Sequence, residues 1–372
     1  MNTNIFFIAI DVDDKSFHGC GVNKNTGEIK EFACKPTVGH LEKKLREFLK
    51  DAEGVKVCYE ATYLGFSLYR ALRKKGFDCE VIAPSLIPFR PGEKVKTDKV
   101  DCRKMAEYYL NGQLTGVHVP TEAEEVTRDF IRARKFLARQ MSGLKRYVLS
   151  QCRRMGIDYR QGAGRESKNY WTVEHRAWLA AKMNESKERA IKLNISLLLD
   201  QLDQVENRIK LYDEEIERMA DGEIYREKVE ALSCYRGVSV LTAMTLVTEL
   251  ADIKRFTHPR QLCSYAGMEL IEYSSGGHQH QYRMSKMGNA HIRTSVIEAC
   301  QTASRLPVVS KKLKERRKNA KEKYIEIADR CMRRLYTKSK RLLHRDKSAN
   351  KVKVACAREM LCFVWESLQA AV

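Results

Sequence analysis

Apolar positions in the first 120 residues come in short runs with two different spacings. Ile5–Val12 is a near-continuous apolar run, and Phe17–Val22 and Glu28–Cys34 are short β-rich runs on either side of the turn Asn23–Gly27. Leu41–Leu49 has helical spacing, Val55–Glu60 predicts a fourth strand, Leu64–Arg73 a helix closed by Gly76, and Cys79–Ala83 a strand stopped by Pro84. The order β-β-β-α-β-α-β-α predicts a mixed sheet with helices on its faces. Three strands ahead of the first helix fit an RNase H-like arrangement better than a dinucleotide-binding fold, and neither a Gly-x-Gly-x-x-Gly nor a Walker loop is present.

From Thr121 the pattern changes to long helices. Ile191, Ile195, Leu198, Leu202, Val205, Ile209, Tyr212, Ile216 and Met219 keep a 4-3 spacing that defines a coiled-coil seam. Pairing between protomers is the expectation, with the helix Val126 to Leu149 as the intrachain alternative. Gln161–Lys168 is polar and contains Gly and Ser, so it predicts a loop between the two helical arms. From about Val229 a compact helical segment follows, ending in a helix over Val352–Leu368. Within it, Cys234–Val247 is similar to a helix-hairpin-helix element, although a Gly turn joining two packed helices is the commoner meaning of such a pattern. The expected organisation is therefore 1–120 α/β, 121–228 coiled-coil helices with an inserted loop, and 229–372 compact and helical.

Charge sharpens this division. The chain carries 68 Lys plus Arg against 48 Asp plus Glu, a net of +20. Residues 1–120 hold 19 basic and 16 acidic side chains, whereas 311–347 alone hold 16 and 5. An excess that local repels itself unless a phosphate backbone neutralises it, so Lys311, Lys312, Arg316, Arg317, Arg333 and Arg334 are expected to contact nucleic acid. Arg128, Arg132, Lys135 and Arg139 on the first long helix are candidates for the same role. No stretch is long and apolar enough to span a membrane, and Asp11, Asp13 and Asp14 interrupt the N-terminus before any cleavage site, so a cytoplasmic, nucleoid-associated protein is expected. The twelve cysteines are scattered without a Cys-x-x-Cys pair, which argues against a zinc ribbon or a disulfide framework.

Four acids stand out. Asp11 interrupts an apolar strand, Glu60 ends another, and Asp98 and Asp101 stand at i and i+3 where a helix begins. Gathered carboxylates repel one another unless a hard cation sits among them, and Mg²⁺ (or Mn²⁺) is the expected occupant. Singly, each has a plainer explanation: Asp98 as a helix cap, Asp101 as a first-turn acid, Glu60 as a surface residue.

Ile8-Ala-Ile-Asp-Val, Val57-Cys-Tyr-Glu-Ala-Thr and Lys96-Thr-Asp-Lys-Val-Asp-Cys-Arg-Lys-Met-Ala resemble the RuvC-like DEDD domain of insertion-sequence transposases guided by a bridge RNA. Arg236-Gly-Val-Ser-Val-Leu-Thr-Ala, Gln261-Leu-Cys-Ser-Tyr-Ala-Gly, Ser274-Ser-Gly-Gly and Ser285-Lys-Met-Gly-Asn-Ala-His-Ile-Arg resemble that family's C-terminal transposase domain. The resemblance implies that Asp11, Glu60, Asp98 and Asp101 hold Mg²⁺ and that Ser275 is the nucleophile, with Ser274 as its substitute. It further implies a bridge-type non-coding RNA, donor and target DNA as partners, a homodimer through the coiled coil and a homotetramer on DNA. His278-Gln-His-Gln-Tyr-Arg departs from the family by carrying fewer fixed charges after the serine, and its His-x-His reads as a polar loop rather than a metal site. The rival readings are a RuvC-like two-metal nuclease or resolvase that activates water, and a non-catalytic RNA-binding scaffold.

Overall fold

The computed structural model describes residues 4–88, 98–162, 169–275 and 278–372, with the backbone alone at 98–100, 161–162, 272–275 and 278–283. The chain falls into two compact units, Met1–Pro120 and Thr121–Val372.

The first unit is built on strands β1 (Ile5–Val12), β2 (Phe17–Asn23), β3 (Ile29–Cys34), β4 (Gly54–Glu60) and β5 (Asp78–Ile82), in the order β3-β2-β1-β4-β5. β1 pairs antiparallel with β2 and parallel with β4, and β4 pairs parallel with β5. Helices α1 (Val38–Phe48), α2 (Ser67–Lys74) and α3 (Asp98–Leu110) complete it. This is the mixed α/β sheet that the apolar runs predict, and it is consistent with an RNase H-like DEDD domain.

β1 reads as one apolar run because both of its faces are covered. Phe6, Ile8, Ile10 and Val12 pack with Val57 and Tyr59 of β4, Leu41 and Leu45 of α1, and Leu72 of α2. Ala9 faces the other way, with Cys58, Ile82 and the α3 residues Cys102, Met105, Ala106 and Tyr109. Thr37 caps α1 by accepting from the His40 amide. The helix predicted from Leu64 begins only at Ser67, because Gly65 takes φ +64°.

The second unit contains α4 (Glu122–Arg154), α5 (Tyr159–Gly162), α6 (Val173–Glu185), α7 (Arg189–Ala220), α8 (Arg226–Ser233), α9 (Val240–Leu250), α10 (Pro259–Tyr265), the hairpin β6 (Leu270–Ser275) and β7 (His278–Met284), α11 (Ala290–Ala299), α12 (Lys311–Arg317), α13 (Glu322–His344) and α14 (Ala349–Ala370). Position 228 falls inside α8, within this unit. The polar loop predicted over 161–168 lies largely outside the described residues; α5 runs to Gly162.

Within the chain the heptad seam of α7 is lined by α4, the intrachain alternative to pairing between protomers. α4 and α7 lie antiparallel: Phe130 packs tilted against Tyr212 with ring centroids 4.5 Å apart, Arg134 makes two bonds of 2.9 Å to Asp213, and Lys145 pairs with Glu206 at 2.8 Å. Nearer the far end, Ile195 joins Val148, Cys152 and Leu179. Thirty-odd residues of α4 are long enough to cover the seam, and α5 and α6 bring α7 back alongside it. Ile131 and Ile216 extend this pair into the large core made by α8, α9, α11, α13 and α14.

The predicted helix-hairpin-helix turn lies between α8 and α9. Gly237 takes φ +88°, and a Cβ there would overlap the Ala299 carbonyl. The turn's own carbonyls are engaged: Arg317 donates to Cys234 O at 2.8–2.9 Å, and Arg316 donates to Val238 O and Tyr235 O.

Candidate active site and nucleic-acid interface

In β1 and β4 the last register pair is Ile10–Tyr59, so the next residues, Asp11 and Glu60, end neighbouring parallel strands side by side. Ile10 and Tyr59 face α1 and α2; alternation along a strand turns Asp11 and Glu60 to the face that α3 covers. Asp11 is half-buried and Glu60 exposed.

α3 runs antiparallel to β1. The Tyr109 ring near its end sits 5.4 Å from that of Phe7, whereas Cys102 near its start places Sγ 3.4 Å from the carbonyl of His18, the residue opposite Asp11. The first turn of α3, with Asp98 and Asp101, is therefore brought to the strand ends that carry Asp11 and Glu60. The Asp98 side chain lies outside the described residues, and among the described residues no three His, Cys, Asp or Glu side chains already stand as a metal-holding group. The donors converging here are carboxylate oxygens alone, a set that fits Mg²⁺ or Mn²⁺ and does not fit a softer metal.

Tyr63 was not legible as a site residue. It is 72% exposed, three positions after Glu60, and donates its hydroxyl to Asp14; that bond, with the nearby charges of Asp14 and Asp13, pushes its phenol up to about 12. An exposed ring at the rim of the acid face offers a surface on which a base can stack. The only sequence signal was its place in Glu60-Ala-Thr-Tyr.

In the second unit, Ser275 is the last residue of β6 and pairs with His278 across the tip of the hairpin, with Ser274 opposite Gln279. Their side chains lie outside the described residues, as do those of His278 and His280. What is described is the stem. Ser285 N donates to Glu269 O at 3.0 Å, Lys286 N to Gly267 O at 3.0 Å, Asn289 N to Tyr265 O at 2.8 Å, and the Arg293 guanidinium to Ala266 O at 2.8 Å. Gly267 (φ +63°) and Gly288 (φ +144°) permit this approach, since a Cβ at either would strike the facing backbone. The two sequence motifs Gln261–Gly267 and Ser285–Arg293 are thus the two sides of one clamp on the hairpin.

Beneath the clamp lies Glu249, 3% exposed in the otherwise uncharged α9. Arg132 holds it with two bonds of 2.7 and 2.8 Å, Asn289 donates Nδ2 to Oε2 at 2.7 Å, and His291 Nδ1 is 4.0 Å from Oε1. Burial alone would push this carboxyl up; Arg132, Asn289 and His291 hold it below its ordinary value instead. Glu249 escaped sequence reading because a single acid in Val240–Leu250 looks like a surface position.

Several of the cations expected to grip nucleic acid are engaged internally, which corrects that reading for them. Arg132 is committed to Glu249. Arg317 is 7% exposed, donating to Cys234 O and to Asp329 at 2.8 Å, and the half-buried Arg316 supports the same turn. Arg334 pairs with Glu359. Arg317 is drawn inward and Arg132 and Arg316 partly so, each by a carbonyl or acid distant in sequence, whereas Arg334 stays at the surface with its acid. Lys311, Lys312, Arg333 and Arg139 are exposed, and Arg128 and Lys135 are half-buried. Among the described residues no helix is long and apolar enough to cross a membrane.

Comparison with known proteins agrees with both halves of this picture. Residues 229–315 match the family described as Transposase IS116/IS110/IS902, and residues 8–155 match an IS110-type DEDD transposase model. The chain is 30% identical to "Putative transposase y4qE" of Sinorhizobium fredii over 96% of its own length and 87% of that protein. It is 32% identical to the transposase for insertion sequence element IS1533 of Leptospira borgpetersenii, over 66% of this chain and 73% of that one. It is 22% identical to the transposase for insertion sequence element IS1111A of Coxiella burnetii, over 81% and 79%.

Proposed function

Because the chain belongs to the IS110/IS116/IS902 family of insertion-sequence transposases, we propose that it moves its element by Mg²⁺-assisted serine attack on DNA, with a bridge-type non-coding RNA choosing donor and target. The observation that carries the acid half is the side-by-side ending of β1 and β4, with Asp11 and Glu60 turned to the face that the first turn of α3 reaches. Asp11, Glu60, Asp98 and Asp101 would hold the cation, which neutralises charge on the non-bridging oxygens of a phosphodiester. A free serine hydroxyl is a poor nucleophile, so Ser275 at a hairpin tip gains from a neutralised phosphate that lies open to attack. Its oxygen bonds to phosphorus, its proton passes to solvent, and the bond to the departing sugar oxygen breaks as that oxygen takes up a proton. The serine phosphodiester keeps the bond energy, so attack by a new sugar hydroxyl rejoins DNA and frees Ser275.

Acids and serine belong to different compact units. Assembly of two dimers on DNA would let the acids of one protomer serve the serine of another. Delegating sequence choice to RNA pairing accords with a chain rich in exposed cations and without a zinc finger or a recognisable base-reading helix-turn-helix.

The test incubates the full chain with the element's flanking RNA, Mg²⁺ and labelled donor and target DNA, then resolves the products on a denaturing gel. The expected result is protein-linked DNA that disappears in Ser275→Ala and in Asp11→Asn. DNA that is cut without ever being linked, unchanged in Ser275→Ala, would mean a water-using nuclease and overturn the nucleophile assignment.

A further inference from the structure

Charge around the hairpin clamp is unbalanced in a specific way. Arg132, Lys135 and Arg139 occupy i, i+3 and i+7 on α4, one face of the helix, and Arg132 on that face binds Glu249 Oε1 at 2.7 Å, the atom that lies 4.0 Å from His291 Nδ1 on α11. Asp129 lies 3.9 Å from Arg132, and Glu249 has both of its oxygens taken, one by Arg132 at 2.7 Å and the other by Arg132 and Asn289 at 2.8 and 2.7 Å. Glu298, on the same helix as His291, is the other acid near Lys135. Lys135 and His291 are half-buried all the same. Burial holds the Lys135 ammonium below its ordinary value, with Arg139 acting the same way and Glu298 and Glu249 opposing. Burial does the same to the His291 imidazole, against the pull of Glu249 and aided by Lys135, Arg132 and Arg139. A cation held partly out of water, as Lys135 is, costs the protein stability; an anion brought to it offsets that cost.

We propose that Lys135, Arg139 and His291 form a seat for a DNA phosphate beside the hairpin stem, on a base held rigid by the Arg132–Glu249–Asn289 bonds. The seat rests on the transposase reading for the nature of its ligand, a phosphodiester, but not on which residue is the nucleophile. Asn289 links seat and hairpin directly: its amide nitrogen closes the clamp on Tyr265 O, its side-chain oxygen accepts from the His291 and Ile292 amides to cap α11, and its side-chain nitrogen holds Glu249. A phosphate in this seat would fix the DNA backbone in register with the hairpin that carries Ser274 and Ser275.

The test compares Lys135→Gln/Arg139→Gln with Lys192→Gln/Lys210→Gln, an equal change of charge at exposed positions of α7. Binding of a fluorescein-labelled random-sequence duplex is followed by anisotropy between about 50 and about 200 mM salt. All proteins carry Ser275→Ala, so no covalent capture enters the reading. The expected result is a log K against log salt slope shallower by roughly 1.8 in the seat variant, two phosphate contacts at about 0.9 each, and by much less in the control. The DNA-free seat variant is expected to melt at the same temperature as its parent or higher, because mutual repulsion is relieved; His291→Gln should weaken binding without changing the melting temperature. Equal slopes in the two double variants would overturn the proposal, as would a melting temperature lowered by several degrees with the slope intact, the sign of purely structural cations. Absence of protein-linked DNA in the gel assay, by contrast, would leave these slopes as they are and count only against the serine.

Discussion

Arg132→Ala and Glu249→Ala remove the two ends of the same ion pair, and the structure requires them to differ. Glu249 is 2% exposed in its side chain and Arg132 38%. Deleting Arg132 leaves a carboxylate buried beneath the hairpin with Asn289 as its one close donor among those described, a stranded charge of the kind that costs about 3–5 kcal/mol. Deleting Glu249 leaves a guanidinium with a path to water, so the loss is nearer the roughly 1–3 kcal/mol of unmade hydrogen bonds. The sign of the pH dependence separates them further. In the parent protein Glu249 is held below its ordinary value, so its contribution is present above the unfolded pKa and is lost as pH falls through the folded one. In Arg132→Ala the carboxyl is raised instead, so the deficit is largest at neutral pH and shrinks on acidification as the buried group takes up a proton. Urea unfolding at pH 7 and pH 5 measures this, and tryptophan fluorescence is a clean probe, since Trp171, Trp178 and Trp365 all lie in the second unit. Equal losses for the two variants at neutral pH, or a deficit in Arg132→Ala that does not shrink at pH 5, would refute the view of Glu249 as a buried charge kept ionised by one partner.

Two further outcomes follow from single positions. Gly237→Ala forces a side chain into φ +88° and against the Ala299 carbonyl, so the second unit should lose roughly 2–4 kcal/mol in the same urea assay, whereas Gly143→Ala in α4, where a Cβ meets open space, should lose little. His175, 1% exposed, accepts from the Trp171 amide at 3.1 Å, and burial, with Arg176 beside it, holds its imidazole below the ordinary value. The unfolded chain then takes up the proton first, so stability is full above the ordinary histidine range and declines as pH falls through it. Melting temperature should fall between pH 7 and pH 5, and His175→Asn should shrink that fall.

What could be read from the chain is what local periodicity encodes. β1 over Ile5–Val12 matches its predicted bounds, and β2, β3, β4 and β5 lie within a residue of theirs at each end, because each is an apolar run closed by turn residues. The side-by-side ends at Asp11 and Glu60 were legible as acids interrupting or closing strands, but their pairing depends on β1 and β4 being parallel neighbours, a long-range fact with no local signature. The seam of α7 was legible and its partner was not: a 4-3 repeat states that a helix must be covered, and leaves open which helix covers it. Glu249 was missed for the converse reason. Its meaning lies in Arg132 and Asn289, 117 residues before and 40 residues after it.

The basic run at 311–347 shows why a charge count is a poor guide to contact. At least seven of its sixteen cations are tied within the second unit: Arg316 and Arg317 to the turn after α8, Lys321 to Glu227, Lys323 to Ala370 O, Arg330 to Glu366, and Arg334 and Lys338 to Glu359. Those bound to carbonyls keep their charge, so they still contribute to the long-range field that steers a polyanion inward. Arg317 is buried and Arg316 and Lys338 half-buried, whereas Lys321, Lys323, Arg330 and Arg334 remain exposed and must give up an internal partner to meet a phosphate; counterion release follows contacts rather than field. If only Lys311, Lys312, Lys314, Lys318, Arg333, Lys340, Arg341, Arg345 and Lys347, all exposed, meet phosphates, this segment adds roughly 8 to the salt slope, against roughly 14 if every cation does. Replacing Arg333, Lys340, Arg341 and Arg345 by Gln should flatten the measured slope by up to roughly 3.6 while leaving the fold intact, whereas Arg317→Gln should unfold the turn after α8 before it alters the slope. A slope that responds to Arg317 as strongly as to Arg341 in folded protein would contradict this division between cations that build the domain and cations that meet nucleic acid.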